Sequence, residues 1–229
     1  MNHINLRTIY GIENKYIYNA YDSNQILLIR DQTYSITNIT KNIKVIKFLF
    51  SYSLDLHDLP DHIEVLLFDH VYRKKITKFP KSLRVLIFHQ RYFEQIPELP
   101  ETLQVLYINT NQNLKLPQKL QVFISYDYNY EFKFGPELQT LLIKNYKYKL
   151  NLPKSLKELY IDLYDHKLNI QNNLKILSIE NNNGKEFMLP KTLKTFKRIK
   201  IPLEIYLMNF GTILQNYNMI FIEINGKLI

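Results

Sequence analysis

Cysteine is absent from the 229 residues. That excludes a disulfide framework, a thiolate metal site and a cysteine nucleophile, and it fits a reducing compartment. Tryptophan is absent as well, and only 5 glycines occur. So little glycine argues against a sandwich of many tight hairpins. Gly11, Gly135, Gly184, Gly211 and Gly226 stand alone, so no glycine-rich phosphate loop is present. No apolar run approaches the length of a membrane span, and Met1 to Tyr10 lacks the apolar stretch of a signal peptide. An intracellular, cytoplasmic protein is expected. A Gly-x-Ser-x-Gly nucleophile motif is also missing. The 6 histidines do not fall into the paired spacing of a zinc site. Their densest group, His57, Asp58, Asp61 and His62 around Pro60, reads as an exposed corner. No catalytic residue, metal ligand or cofactor is assigned, and no enzyme is expected.

What the chain does have is a repeat. Leu99-Pro100-Glu101-Thr102-Leu103-Gln104-Val105-Leu106-Tyr107-Ile108 is one copy, and Leu152 to Ile161 and Phe79 to Phe88 are others. With the residue three after the proline slot as anchor, the anchors are Ile43, Ile63, Leu83, Leu103, Leu120, Leu138, Leu156, Leu174 and Leu193. Their spacings are 20, 20, 20, 17, 18, 18, 18 and 19. The columns four before and three after the anchor are apolar throughout. The column five after it breaks only at Ser125 and Arg198. Another apolar column lies six or seven before it, from Ile36 and Leu56 to Leu168 and Phe187.

Positions three and five after the anchor alternate, so this piece is a short strand with one face inward. Copies from successive turns stack as a parallel sheet. The rest of a turn is too short for a well-formed α-helix, which leaves extended chain, turns or 3₁₀ pieces outside. Proline suits the corner into the strand, where it pre-sets φ and gives up an N–H that has no ladder partner. The expected fold is mainly β, a leucine-rich-repeat-like solenoid of about nine turns over residues 37–200. Residues 1–36 form an N-terminal cap, with Gln25 to Arg30 and Thr33 to Ile36 as the strands of a hairpin. Residues 201–229 form a C-terminal cap, with a short helix at Pro202 to Phe210, a strand at Asn218 to Ile224 and a turn at Asn225-Gly226.

The pattern resembles short leucine-rich repeats, and more closely the FNIP repeat of amoebae and the giant viruses that infect them. Tyr72, Ile76, Phe79, Pro80, Ser82, Leu83, Leu86 and Phe88 fall on that family's pattern, as do Tyr92, Ile96, Leu99, Pro100, Leu103, Leu106 and Ile108, and Tyr52, Leu56, Leu59, Pro60, Ile63, Leu66 and Phe68. The family's asparagine is replaced by Ser53, Arg73 and Phe93, and the turns from 104 onward are shorter than the family's. Relatives often carry an F-box or kinase domain ahead of the repeats. The segment before the repeats here is too short for either, so neither role transfers. The function expected is that of a non-enzymatic repeat scaffold that binds another protein through its exposed strand face.

The side chains two, four and six after the anchor point away from the core and would form a concave face. Val65, Leu67, Val85, Ile87, Val105, Tyr107, Ile124 and Leu142 make that face apolar across the middle rungs, and His89, Asn109 and Tyr126 edge it. One reading is a protein-binding groove. Two others are β-propensity alone, and a face covered by a terminal segment or a second copy of the chain. The net charge of +9 supports a rival function, in which basic corners bind nucleic acid. Its residues would be Arg73, Lys74, Lys75, Lys144, Lys147, Lys149, Lys197 and Arg198. The abundance of Asn, Lys, Ile and Tyr has the look of an AT-rich genome, so codon bias is a second source of that charge.

Overall fold

The computed structural model describes residues 14–18, 20–30, 33–36, 39–49, 52–69, 71–126, 128, 130–170, 173–180, 193–198, 223–224 and 227–228. Ten strands form one sheet in chain order. They are β1 (Ile26–Ile29), β2 (Val45–Phe48), β3 (Val65–Phe68), β4 (Val85–Phe88), β5 (Val105–Tyr107), β6 (Val122–Tyr126), β7 (Thr140–Lys144), β8 (Glu158–Asp162), β9 (Ile176–Glu180) and β10 (Thr195–Arg198). Every neighbouring pair is parallel. The register matches column to column, as in Val45↔Val65↔Val85↔Val105↔Val122. This is the expected leucine-rich-repeat-like solenoid.

The corner chemistry explains the repeat. The anchor N–H closes a turn onto the residue in the proline slot: Ile63 on Pro60, Leu83 on Pro80, Leu103 on Pro100, and Leu156 on Pro153, all at 3.0–3.1 Å. Proline contributes its carbonyl there, and its missing N–H leaves no orphan. Gly135 takes this slot in one turn, where a Cβ would meet the Gln118 carbonyl oxygen at 2.5 Å. The next residue ties turn to turn, as when the Glu64 N–H donates to the Lys44 carbonyl and the Arg84 N–H to the Glu64 carbonyl, both at 2.8 Å. Asn14–Tyr18 and Ser23–Gln25 form short helical turns before β1, and in the turns between strands Leu56 and Ile76 make one further parallel bridge.

The inward columns bury as expected. Ile46, Leu66, Leu86, Leu106, Phe123, Leu141, Leu159 and Leu177 are fully enclosed. Phe68 stacks on Phe48 at 4.7 Å and on Phe88 at 4.5 Å. Ser125, a break in its column, is buried too, and its hydroxyl donates to the Ile108 carbonyl at 2.6 Å. A buried hydroxyl costs little when so bonded.

A tyrosine ladder runs along the turn after the strands: Tyr52, Tyr72, Tyr92, Tyr128, Tyr146 and Tyr164, all buried. Each hydroxyl bridges to backbone of the adjacent turn. Tyr72 and Tyr92 donate to the Leu54 and Lys74 carbonyls at 2.9 and 3.0 Å. Tyr128, Tyr146 and Tyr164 accept the Leu114, Phe132 and Leu150 N–H groups at 2.8, 3.0 and 2.9 Å. Burial pushes the Tyr92 and Tyr146 hydroxyls up to about 12, which favours the neutral phenol. One rung lacks the tyrosine. Thr110 holds its place, and the side-chain amide of Gln112 does the hydroxyl's work by accepting the Ile96 N–H at 2.8 Å and donating to the Glu94 carbonyl at 2.6 Å.

Both ends differ from expectation. The N-terminal hairpin is not formed: β1 pairs in parallel with β2 as a rung of the sheet, and Thr33 to Ile36 is not a strand. The sequence hid this rung because polar Asn24 sits where an anchor belongs, although Leu27 and Ile29 keep the inward alternation. At the other end β11 (Glu223–Ile224) and β12 (Lys227–Leu228) form an antiparallel pair flanking Asn225-Gly226. The proposed helix at 202–210, and the strand residues before 223, lie outside the described residues.

One strained position yields a stability test. Asn145 and Leu163 occupy the same place after β7 and β8, with φ of 54° and 52°. Left-handed backbone costs a branched side chain roughly 1–2 kcal/mol, and asparagine tolerates it. Leu163 is largely exposed, so no core is lost by changing it. Leu163→Asn is expected to stabilise the protein by about 0.5–1 kcal/mol in chemical denaturation; a lower midpoint would show that Leu163 packs against something essential.

Candidate functional site

The strand face offered as a partner groove is shut. Val65, Leu67, Val85, Ile87, Val105, Tyr107, Ile124 and Leu142 are each 3% exposed or less. They form a second apolar cluster, separate from the main core, and Ile17 is buried within it. Tyr16 and Tyr21 pack on the same cluster. The Tyr21 hydroxyl donates to Glu64 Oε2 at 2.9 Å, beside β3, and the Tyr16 hydroxyl reaches Gln121 Oε1 at 3.5 Å, beside β6. Tyr16, Ile17 and Tyr21 therefore span the strands from the β3 rung to the β6 rung. The apolar residues of this face thus pack in one cluster with the chain's own Tyr16, Ile17 and Tyr21, where the open groove expected from the sequence would leave them exposed.

Of the residues assigned to the groove, His89, Asn109 and Tyr126 alone keep appreciable contact with solvent. They sit at the C-terminal ends of β4, β5 and β6. The Asn109 carboxamide oxygen accepts the Tyr126 N–H at 2.7 Å. The Tyr107 ring meets His89 and Tyr126 edge-on at 5.7 and 5.8 Å. Burial raises the Tyr107 hydroxyl's pKa, against hydrogen bonds with Asn109 and Tyr126 that lower it. A cavity of about 240 Å³ opens here.

Among the described side chains the basic residues do not gather. Lys144 pairs with Asp162 at 3.1 Å on the strand ends. Arg73, Lys74, Lys75, Lys147 and Lys149 are exposed on loops after β3 and β7. Lys197 and Arg198 lie on β10, and their side chains are outside the described residues. The corner group around Pro60 staples turns together: Asp61 accepts the Lys81 N–H at 3.2 Å, which together with the Lys81 ammonium lowers its pKa, and His62 bonds the Thr40 carbonyl at 3.2 Å. Among the described residues no three His, Cys, Asp or Glu side chains are grouped to hold a metal ion.

A feature the sequence reading missed lies on the ridge after the strands. The described residues expose seven large apolar side chains, and Tyr34, Leu54, Phe93, Tyr130 and Tyr148 are five of them. All five follow a strand by four to six residues, on the β1, β2, β4, β6 and β7 rungs. Each lies within two residues of a ladder position, so one face of the turn is tied down while its neighbour is pushed outward. Arg91 lies over the Phe93 ring at 5.4 Å. The signal was present as an aromatic or leucine recurring just past the ladder tyrosine. It was concealed because the column ten after the anchor, which holds Tyr34, Phe93, Tyr130 and Tyr148, is interrupted by Arg73, Asn113 and His166.

No family model matches the chain, and no curated protein matches its sequence. Among solved structures, a circular LRR protein, CroV588, is similar over 80% of this chain and 35% of its own, with 20% identity and a TM-score of 0.55. The chain thus spans about a third of that protein's length. At this identity the likeness concerns the fold, and it is the fold that the strand register shows independently: a leucine-rich-repeat-like solenoid.

Proposed function

We propose that the chain is a non-enzymatic scaffold of the short leucine-rich-repeat type, related to FNIP repeats, that holds a protein partner on the ridge after its strands. Such solenoids typically serve as interaction scaffolds. The observation that carries the reading is the clustering of exposed large apolar side chains on that ridge while the strand face is shut. Exposed aromatics with a neighbouring arginine, as at Phe93 and Arg91, have the composition of an interface hot spot. No described helix is long and apolar enough to cross a membrane; placement in the cytoplasm belongs to the same proposal.

Nucleic acid is the second reading, favoured by exposed Lys147, Tyr148 and Lys149 with Tyr130 one rung away. Asp55, Glu94, Glu131 and Asp165 are exposed on the same ridge, and they would repel phosphates. Capture from an extract with and without nuclease, on wild type, Phe93→Asp and Tyr148→Asp, separates the two. The protein reading expects nuclease-resistant capture that falls by roughly tenfold or more in at least one variant, at unchanged melting temperature. Recovery of nucleic acid that is lost at moderate salt would favour the second reading. Capture untouched by both substitutions would remove the ridge as the site.

A further inference from the structure

The stacking of loops is broken where 20-residue turns give way to shorter ones. The loop after β4 runs from Phe88 to its ladder residue Tyr92, while the next runs only from Ile108 to Thr110. Unequal loops cannot stack, and without a tyrosine ring at Thr110 the space between them is not filled. The cavity at the ends of β4 to β6 is that space.

We propose that this cavity binds an oxyanion, a phosphoryl or carboxyl group carried by a small molecule. Its polar lining offers donors from Arg91, His89, the amides of Gln90, Asn109 and Asn111, and the Thr110 hydroxyl. Among the described residues no carboxylate lines it. Asp69, which contacts the lining residue His89 at 3.6 Å, is also engaged by Lys47 at 3.2 Å. The Asn109 oxygen is taken by the Tyr126 N–H, so its NH₂, which also bonds the Tyr107 hydroxyl, is the donating side of the carboxamide. Arg91 stands at the mouth over Phe93, and arginine offers two parallel N–H groups to an oxyanion. Thr110 supplies an independent sign. It is 2% exposed, and its hydroxyl has no hydrogen-bond partner among the described residues. A buried hydroxyl left unpaired destabilises the free protein, and an anion in the cavity would give it an acceptor.

Titration calorimetry of the full chain with inorganic phosphate, and separately with N-acetylglutamate, tests this. One probe or both should bind with one-to-one stoichiometry, and which one saturates identifies the group. Arg91→Gln should weaken binding by roughly tenfold. Thr110→Val should weaken it by about threefold while leaving the melting temperature of the free protein equal or higher, since a methyl replaces an unpaired hydroxyl. Lys149→Gln, on the distant ridge, should change nothing. Failure of both probes to saturate by about 10 mM would overturn the proposal. So would equal binding by wild type and the Arg91 and Thr110 variants, because the anion would then be held by scattered surface cations. These outcomes do not depend on whether the ridge binds a protein.

Discussion

Ile87→Asp should unfold the protein or come close to it. Ile87 is 1% exposed, in the middle of the second apolar cluster, with Val85 and Tyr107 around it and no described cation in that cluster. A carboxylate placed there loses its water and gains no partner, a situation that costs on the order of 3–5 kcal/mol. That is a large part of the total stability of an ordinary domain. Ile87→Val at the same site should cost only about 0.5–1.5 kcal/mol, which isolates the charge from the loss of volume. Thermal melting of both variants checks this. A melting temperature for Ile87→Asp close to that of wild type would mean that the strand face opens freely to water, and would restore it as a candidate groove.

Leu106→Ala should cost roughly 2–5 kcal/mol by denaturant titration. Leu106 is fully buried on the opposite face of the sheet, in register with Leu86 on one side and Phe123 on the other. Rungs on both sides limit how far the structure can relax into the space left. Leu27 holds the same column in β1 but is only partly buried, so Leu27→Ala should cost clearly less. Equal losses at the two positions would show that the end rung is as well enclosed as the middle. A loss below about 0.5 kcal/mol for Leu106→Ala would contradict the burial of the column.

These two variants mark where the sequence was informative and where it was not. The Leu106 column is legible because its spacing alone requires a buried strand face, and the structure pairs those residues in register. The Ile87 column is apolar for a reason that spacing cannot supply. Its cover comes from Tyr16, Ile17 and Tyr21, which precede the repeats and carry no motif. β1 was missed because a polar residue can occupy the anchor slot where the solenoid starts. Half of the tyrosine ladder was missed for a different reason. Tyr52, Tyr72 and Tyr92 lie nine after their anchors, but Tyr128, Tyr146 and Tyr164 lie eight after theirs. Counting back four residues from the apolar column of the following turn, Leu56, Ile76, Ile96, Phe132, Leu150 and Leu168, aligns all of it. The cavity at Thr110 has no motif either. It follows from the difference between neighbouring turn lengths, which becomes visible only when the turns are stacked.

The crossing by Tyr16, Ile17 and Tyr21 also bears on the order in which the chain can fold. Rung-to-rung contacts join residues about one turn apart, so neighbouring turns can assemble as soon as each is made. The Tyr16 hydroxyl instead meets Gln121, 105 residues later. During synthesis the first described residues must therefore wait, undocked, until β6 has left the ribosome. The rungs should form early and the crossing segment should dock last. Closing that long loop slows the final step, and once closed it links rungs that would otherwise fray independently.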